Sequence, residues 1–238
     1  SRGLGDVYKR QVFGEFHNKT KNYFSGPKSE LPEESGGWCD YMVELEFFKS
    51  MPEGIRKGAW FLTKVTMTGQ ERNPETGRYP LLNWDDPATN QKHPYWKKNI
   101  ESSDWVFNYD DGYYETKGIS SASGKTRMIF RYADILLLYA EAVAYGTKSI
   151  DDLAFDCMWR VQERAGVPLI SKDVTKEYFQ KAVLDERRWE TAGMEHSCMG
   201  RFFTMQRHEI LHLQKNYRDA AELSLNPNLT LSEEFYYF

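Results

Sequence analysis

From residue 128 onward the apolar residues fall at helical spacing. Met128–Tyr145 (MIFRYADILLLYAEAVAY) places Tyr132, Ile135, Leu136, Tyr139, Ala140 and Val143 on one face, and Gly146 closes the helix. Ser149 or Asp151 can cap a second helix that runs through Arg164 and stops at Gly166 and Pro168. Asp173 or Thr175 opens a third, with Phe179, Val183, Leu184 and Trp189 among its apolar positions, and a fourth is expected from about Gly200 to Lys215. Helix pairs joined by tight turns predict an α-α superhelix of the tetratricopeptide-like kind, although no self-similarity at the repeat length is visible.

Residues 12–127 have a different texture. Val12–Phe16 and Trp60–Met67 are β-friendly, and Asp40–Met51 (DYMVELEFFKSM) suits a short helix capped by Asp40, with Met42, Leu45 and Phe48 apolar. Between Asn73 and Gly124 the turn chemistry of PETG, NWDDP, NYDDG and SSASG predicts loop. A loop region of that length is normally functional or mobile. The expected fold is therefore mainly α: a loop-rich, aromatic-rich portion at 12–127, with a few short strands, on a helical portion at 128–238 of the same domain. Residues 1–11, SRGLGDVYKRQ, resemble a translated sequencing-adapter end and are excluded from fold reasoning. The chain is accordingly expected to be a fragment, with its natural start missing and its end cut within the aromatic run at Phe238.

Composition narrows the function. Of 238 residues, 40 % are apolar and 28 % charged, an ordinary globular balance. The net charge of -4 comes with no basic block, which argues against a nucleic-acid partner. Cys39, Cys157 and Cys198 have no paired spacing and read as buried thiols rather than disulfides or metal ligands. No apolar run reaches the ~18 residues of a spanning helix, and no signal peptide opens the chain.

Two patterns could carry chemistry. His208-Glu209-Ile210-Leu211-His212 matches HExxH, which on a helix puts both imidazoles on one face for zinc with the glutamate as general base. Glu222, Glu233 or Glu234 would have to supply a third ligand. Gln206 and Arg207 precede the first histidine, where zinc peptidases carry mostly apolar residues, which weighs against the zinc reading. The second pattern is a sugar platform. Trp38, Trp84, Tyr95, Trp96, Trp105, Tyr109, Tyr113 and Tyr114 are interleaved with Asn83, Asp85, Asp86, Asn99, Asp110 and Asp111. Rings stack on sugar C–H faces, and amides and carboxylates take the hydroxyls. The same rings could equally be core residues that anchor long loops.

The charged residues of the helical half read as structural. Arg131, Asp134 and Glu141 are spaced for partly buried ion pairs, and Glu186, Arg187, Arg188 and Glu190 can tie one helix to its neighbour.

Five blocks in order carry a family resemblance. RYADILLLYAEA (Arg131–Ala142), VQERAGVP (Val161–Pro168), LDERRWETAG (Leu184–Gly193), GRFFTMQR (Gly200–Arg207) and LNPNLTLSEEFYYF (Leu225–Phe238) together resemble the SusD/RagB family. Gln162 stands where that family usually has Arg, Thr204 where it has Asp, and MEHSCM resembles an insertion. The resemblance implies a non-enzymatic, surface-exposed lipoprotein of the outer membrane, held by an N-terminal lipid anchor outside this fragment. It would bind an oligosaccharide or other nutrient at a shallow, loop-built face. It would pass that ligand to a SusC-like TonB-dependent transporter, with no cofactor and no metal. Trp38, Trp84 and Trp96 are the expected glycan contacts. A zinc metallopeptidase using His208, Glu209 and His212, and a protein-interaction scaffold of helical repeats, are the rival readings.

Overall fold

The computed structural model describes residues 43–66, 71–89, 92–97, 105–107, 114–116, 131–192, 204–205, 207–208 and 219–225. Two short helices, α1 (Leu45–Ser50) and α2 (Ile55–Trp60), precede six short strands. These are β1 (Phe61–Leu62), β2 (Lys64–Thr66), β3 (Leu81–Asn83), β4 (Tyr95–Trp96), β5 (Trp105–Phe107) and β6 (Tyr114–Thr116). Helices α3 (Tyr132–Tyr145), α4 (Asp152–Ala165), α5 (Lys176–Thr191) and α6 (Ala220–Leu225) follow. The fold is mainly α with minor strands, as the periodicity implies. Among the described residues, 43–48 and 59–116 fall in one compact unit and 49–58 and 131–225 in another.

In the helical unit, α3 packs against both α4 and α5. Gln180 of α5 donates to the Ala144 carbonyl at 2.9 Å, and Arg131, at the start of α3, reaches Glu190 near the end of α5, so α3 and α5 run antiparallel. Tyr139 donates to Asp151 at 2.9 Å and Arg160 approaches the Tyr132 hydroxyl at 3.4 Å, which makes α3 and α4 antiparallel as well. The core is built from Leu137, Ala140, Met158, Val161, Phe179 and Val183, with Phe155 edge-on to Phe179 at 4.8 Å.

The helix ends follow local chemistry. The Asp151 carboxylate accepts the Ala154 N–H at 2.8 Å, and the Thr175 hydroxyl accepts the Tyr178 N–H at 3.2 Å. Gly166 ends α4 at φ 68°, a left-handed conformation that glycine adopts without steric cost. At the start of α3, the Asp134 carboxylate turns back to accept the Arg131 N–H at 2.8 Å.

One expectation about α3 is corrected. Its buried side is Ala133, Leu137, Ala140 and Ala144 with the acids Asp134 and Glu141, whereas Tyr132 is 67 % and Ile135 53 % exposed. The burying face is rotated by about a third of a turn from the row of large apolar residues. A helix that meets two neighbours approaches them through small residues, so its seam is alanine and paired charge. Leu136 and Val143 reach the core only partly.

The other unit holds three two-stranded antiparallel pairs: β1 with β4, β2 with β3 and β5 with β6. Four of these strands lie in the stretch 73–124 that turn chemistry marks as loop; each is two or three residues long, too short to show alternation. Trp60 closes α2 instead of opening a strand, and Thr63 separates β1 from β2. The helix expected over Asp40–Met51 starts at Leu45, where the Glu44 carboxylate accepts the Phe47 N–H at 2.6 Å. Asp40, Met42 and Val12–Phe16 lie outside the described residues.

Candidate aromatic binding site

The register of β1 against β4 sets Phe61 opposite Trp96, with ring centroids 5.2 Å apart. Helix α1 adds two rings from consecutive positions. Phe47 approaches Phe61 at 6.3 Å and Trp96 at 6.2 Å; Phe48 meets Phe61 edge-on at 5.2 Å and Trp84 edge-on at 5.7 Å. Trp84 and Trp96 thus belong to one cluster joined through Phe48 and Phe61. Edge-to-face packing of this kind fixes ring orientation as well as burying area.

The turn that carries Trp84 is tightly tied. The Trp84 N–H donates to the Thr63 carbonyl at 2.8 Å, holding it beside the β2–β3 pair. The Trp84 carbonyl in turn accepts the Thr89 hydroxyl at 2.8 Å. Asp86 accepts the Ala88 N–H on its carboxylate at 2.8 Å, and its carbonyl accepts the Lys92 ammonium at 2.7 Å. Both tryptophans are half-buried, so each keeps part of its surface open, and Asn83 and Asp85 beside Trp84 are exposed. Lys97, next to Trp96, is half-buried, and burial lowers its ammonium below the usual lysine range.

The sequence candidates divide. Trp84 and Trp96 come together; Trp38 lies outside the described residues, as do Asn99, Tyr109, Asp110, Asp111 and Tyr113. Tyr95 is corrected: it points to the other side of β4, opposite Leu62, and only 4 % of it is exposed. Trp105 and Tyr114 sit on β5 and β6. The phenylalanines that back the tryptophans were not singled out as site residues. Their signal is the FF pair of α1 and the WFL run that enters β1.

The charged residues of the helical unit form two hubs. One Glu190 oxygen accepts from Arg131 at 2.9 Å and Arg164 at 2.5 Å, and the other from Arg56 at 3.2 Å. Glu186 also pairs with Arg56, and burial raises its carboxyl against the opposing pull of that guanidinium. Glu141 is paired with Arg187, Arg207 and His208. These carboxylates, each paired with arginines from other parts of the helical unit, tie its elements together.

The HExxH motif meets the second hub. His208 Nε2 lies 2.8 Å from the Glu141 carboxylate, and its ring stacks on Tyr145 at 3.7 Å. His208 Nε2 is thus engaged by Glu141, while Glu209 and His212 lie outside the described residues. Among the described residues no three His, Cys, Asp or Glu side chains are grouped to hold a metal ion.

A model of the SusD family matches residues 11–238. No curated protein matches the sequence. Among solved structures, a SusD homolog from Bacteroides thetaiotaomicron VPI-5482 is similar at 18 % identity and a TM-score of 0.48, covering 70 % of this chain and 34 % of that one. The chain spans about a third of the length of that protein. With its family model extending over nearly all of the sequence, the chain belongs to the SusD family.

Proposed function

We propose that this chain is part of a non-catalytic nutrient-binding protein that captures oligosaccharide on the Trp84–Trp96 cluster. The observation that carries the reading is that both tryptophans are half-buried on a shared bed of phenylalanines, with Asn83 and Asp85 exposed alongside. Rigidly backed rings lose little entropy on stacking against a sugar, and the polar neighbours can take hydroxyl hydrogen bonds. Trp38 remains a third proposed contact. Family membership supports the wider setting: a lipid-anchored protein on the outer face of the outer membrane, delivering its ligand to a SusC-like TonB-dependent transporter. Among the described residues no helix is long and apolar enough to cross a membrane.

The half-burial of Trp84 and Trp96 favours this reading over a pure protein scaffold, which calls for fully buried rings. Calorimetric titration of the full-length protein against a panel of polysaccharides tests it. At least one glycan should bind with micromolar to millimolar affinity, and silence across the panel would remove the proposal. Stoichiometric zinc in the purified protein, lost together with a peptidase activity on Glu209→Gln, would instead restore the metallopeptidase reading.

A further inference from the structure

Lys92 alone among the described non-glycine residues has a positive φ, 55°. That left-handed backbone crowds the Cβ against a neighbouring carbonyl, a cost that glycine escapes altogether. A lysine is therefore not at this position for its backbone, and its side chain supplies the reason. The ammonium donates to the carbonyls of Asp86 and Pro87, each at 2.7 Å, in the turn that carries Trp84. Holding a lysine head in place gives up much rotamer freedom, and hydrogen bonds from a charged donor are strong enough to offset it.

The Asp86 carbonyl is crowded. Besides the ammonium it faces the Thr89 N–H at 2.9 Å and the Thr89 hydroxyl at 2.8 Å. A carbonyl oxygen offers two lone pairs, and a threonine hydroxyl has one proton to give. With the ammonium and the N–H on Asp86, that proton is directed to the hydroxyl's other neighbour, the Trp84 carbonyl, at 2.8 Å. Thr89 is only 5 % exposed, so water is poorly placed to take over the bond. The Trp84 N–H is already held by the Thr63 carbonyl, which leaves both backbone groups of Trp84 fixed. We propose that Lys92 is a positioning residue for Trp84. By occupying the Asp86 carbonyl it commits the Thr89 hydroxyl to the Trp84 carbonyl, and so sets the angle at which the indole is presented. All of these residues belong to one compact unit. The consequence for binding rests on the Trp84–Trp96 cluster being the binding site; the hydrogen-bond relay does not.

The test is 19F NMR of the full-length protein labelled with 5-fluorotryptophan, with resonances assigned by Trp84→Phe and Trp159→Phe. Lys92→Met keeps the stem and removes the ammonium; the Trp84 resonance should shift or broaden, while Trp159, packed on Phe155 at 6.0 Å in α4, stays in place. Lys92→Gly relieves the backbone and should perturb Trp84 as Lys92→Met does, whereas Lys92→Arg, which keeps a cation, should leave it near the parent position. Thr89→Val should move Trp84 as well, and adding Lys92→Met to it should bring no further change. A parent-like Trp84 resonance in Lys92→Met or Lys92→Gly would overturn the proposal, as would a further shift on the Thr89→Val background. Joint movement of Trp84 and Trp159 would overturn it too, because it marks a merely structural role. A protein that binds no glycan yet shows the selective shift loses the functional reading and keeps this one.

Discussion

The Glu190 carboxylate lies 2.9 Å from the Arg131 guanidinium, and this pair ties the last turn of α5 to the first turn of α3. The same carboxylate serves Arg164 and the buried Arg56. Glu190→Ala would leave Arg56 with one carboxylate fewer and Arg131 with Asp134 alone among its paired acids. Breaking a buried pair from one side costs about 3–5 kcal/mol. Urea unfolding should show a loss of that size for Glu190→Ala, against less than about 1 kcal/mol for exposed Lys172→Ala.

Glu186 gives the stability a pH signature. Burial raises its carboxyl above the ordinary value of 4.5, so the native state holds that proton more tightly than the unfolded chain does. Its contribution is therefore fully present below the unfolded value and declines as pH rises through the native one. Glu186→Gln should flatten that part of the stability profile, read from urea midpoints at a series of pH values from 4.5 upward. A Gln variant with the same slope as the parent would refute the assignment.

Two glycines a helical turn apart should respond with opposite signs. A Cβ on Gly54 meets two carbonyl oxygens at 2.7 Å, and forced overpacking of this kind costs about 1–3 kcal/mol. A Cβ on Gly58 meets nothing within 4 Å, and it sits inside α2. Gly58→Ala should stabilise by about 0.5–1 kcal/mol through helix propensity. Thermal melts of the two variants check both.

Cys157 is a buried free thiol, raised mainly by that burial. It should resist alkylation in the native protein and react once urea unfolds the chain. Peptide-resolved mass spectrometry isolates its rate from those of the other two cysteines.

Much of the helical half was legible in the sequence because its signals are local. Asp151 and Gly166 bracket α4, and Thr175 opens α5, each through a side chain or dihedral that acts within one turn. The buried face of α3 was not legible. Alanine at 133, 140 and 144 carries little hydrophobic signal, and the pairing of Asp134 and Glu141 with arginines depends on partners far along the chain. The aromatic cluster was half legible. Trp84 and Trp96 stood out by type, but only the β1–β4 register and the position of α1 show that Phe47, Phe48 and Phe61 back them. Tyr95 shows the limit of counting rings: one step along β4 turns a candidate contact into a core residue.

The most direct measurement is the affinity of the full-length protein for its best-binding oligosaccharide after Trp84→Ala and Trp96→Ala, with Tyr132→Ala as an exposed-ring control remote in sequence. Loss of a stacking ring should cost about 1–3 kcal/mol, roughly a five- to 150-fold weakening for each tryptophan variant. The Tyr132 variant should bind like the parent. Equal affinities for the parent and both tryptophan variants would contradict capture on this cluster.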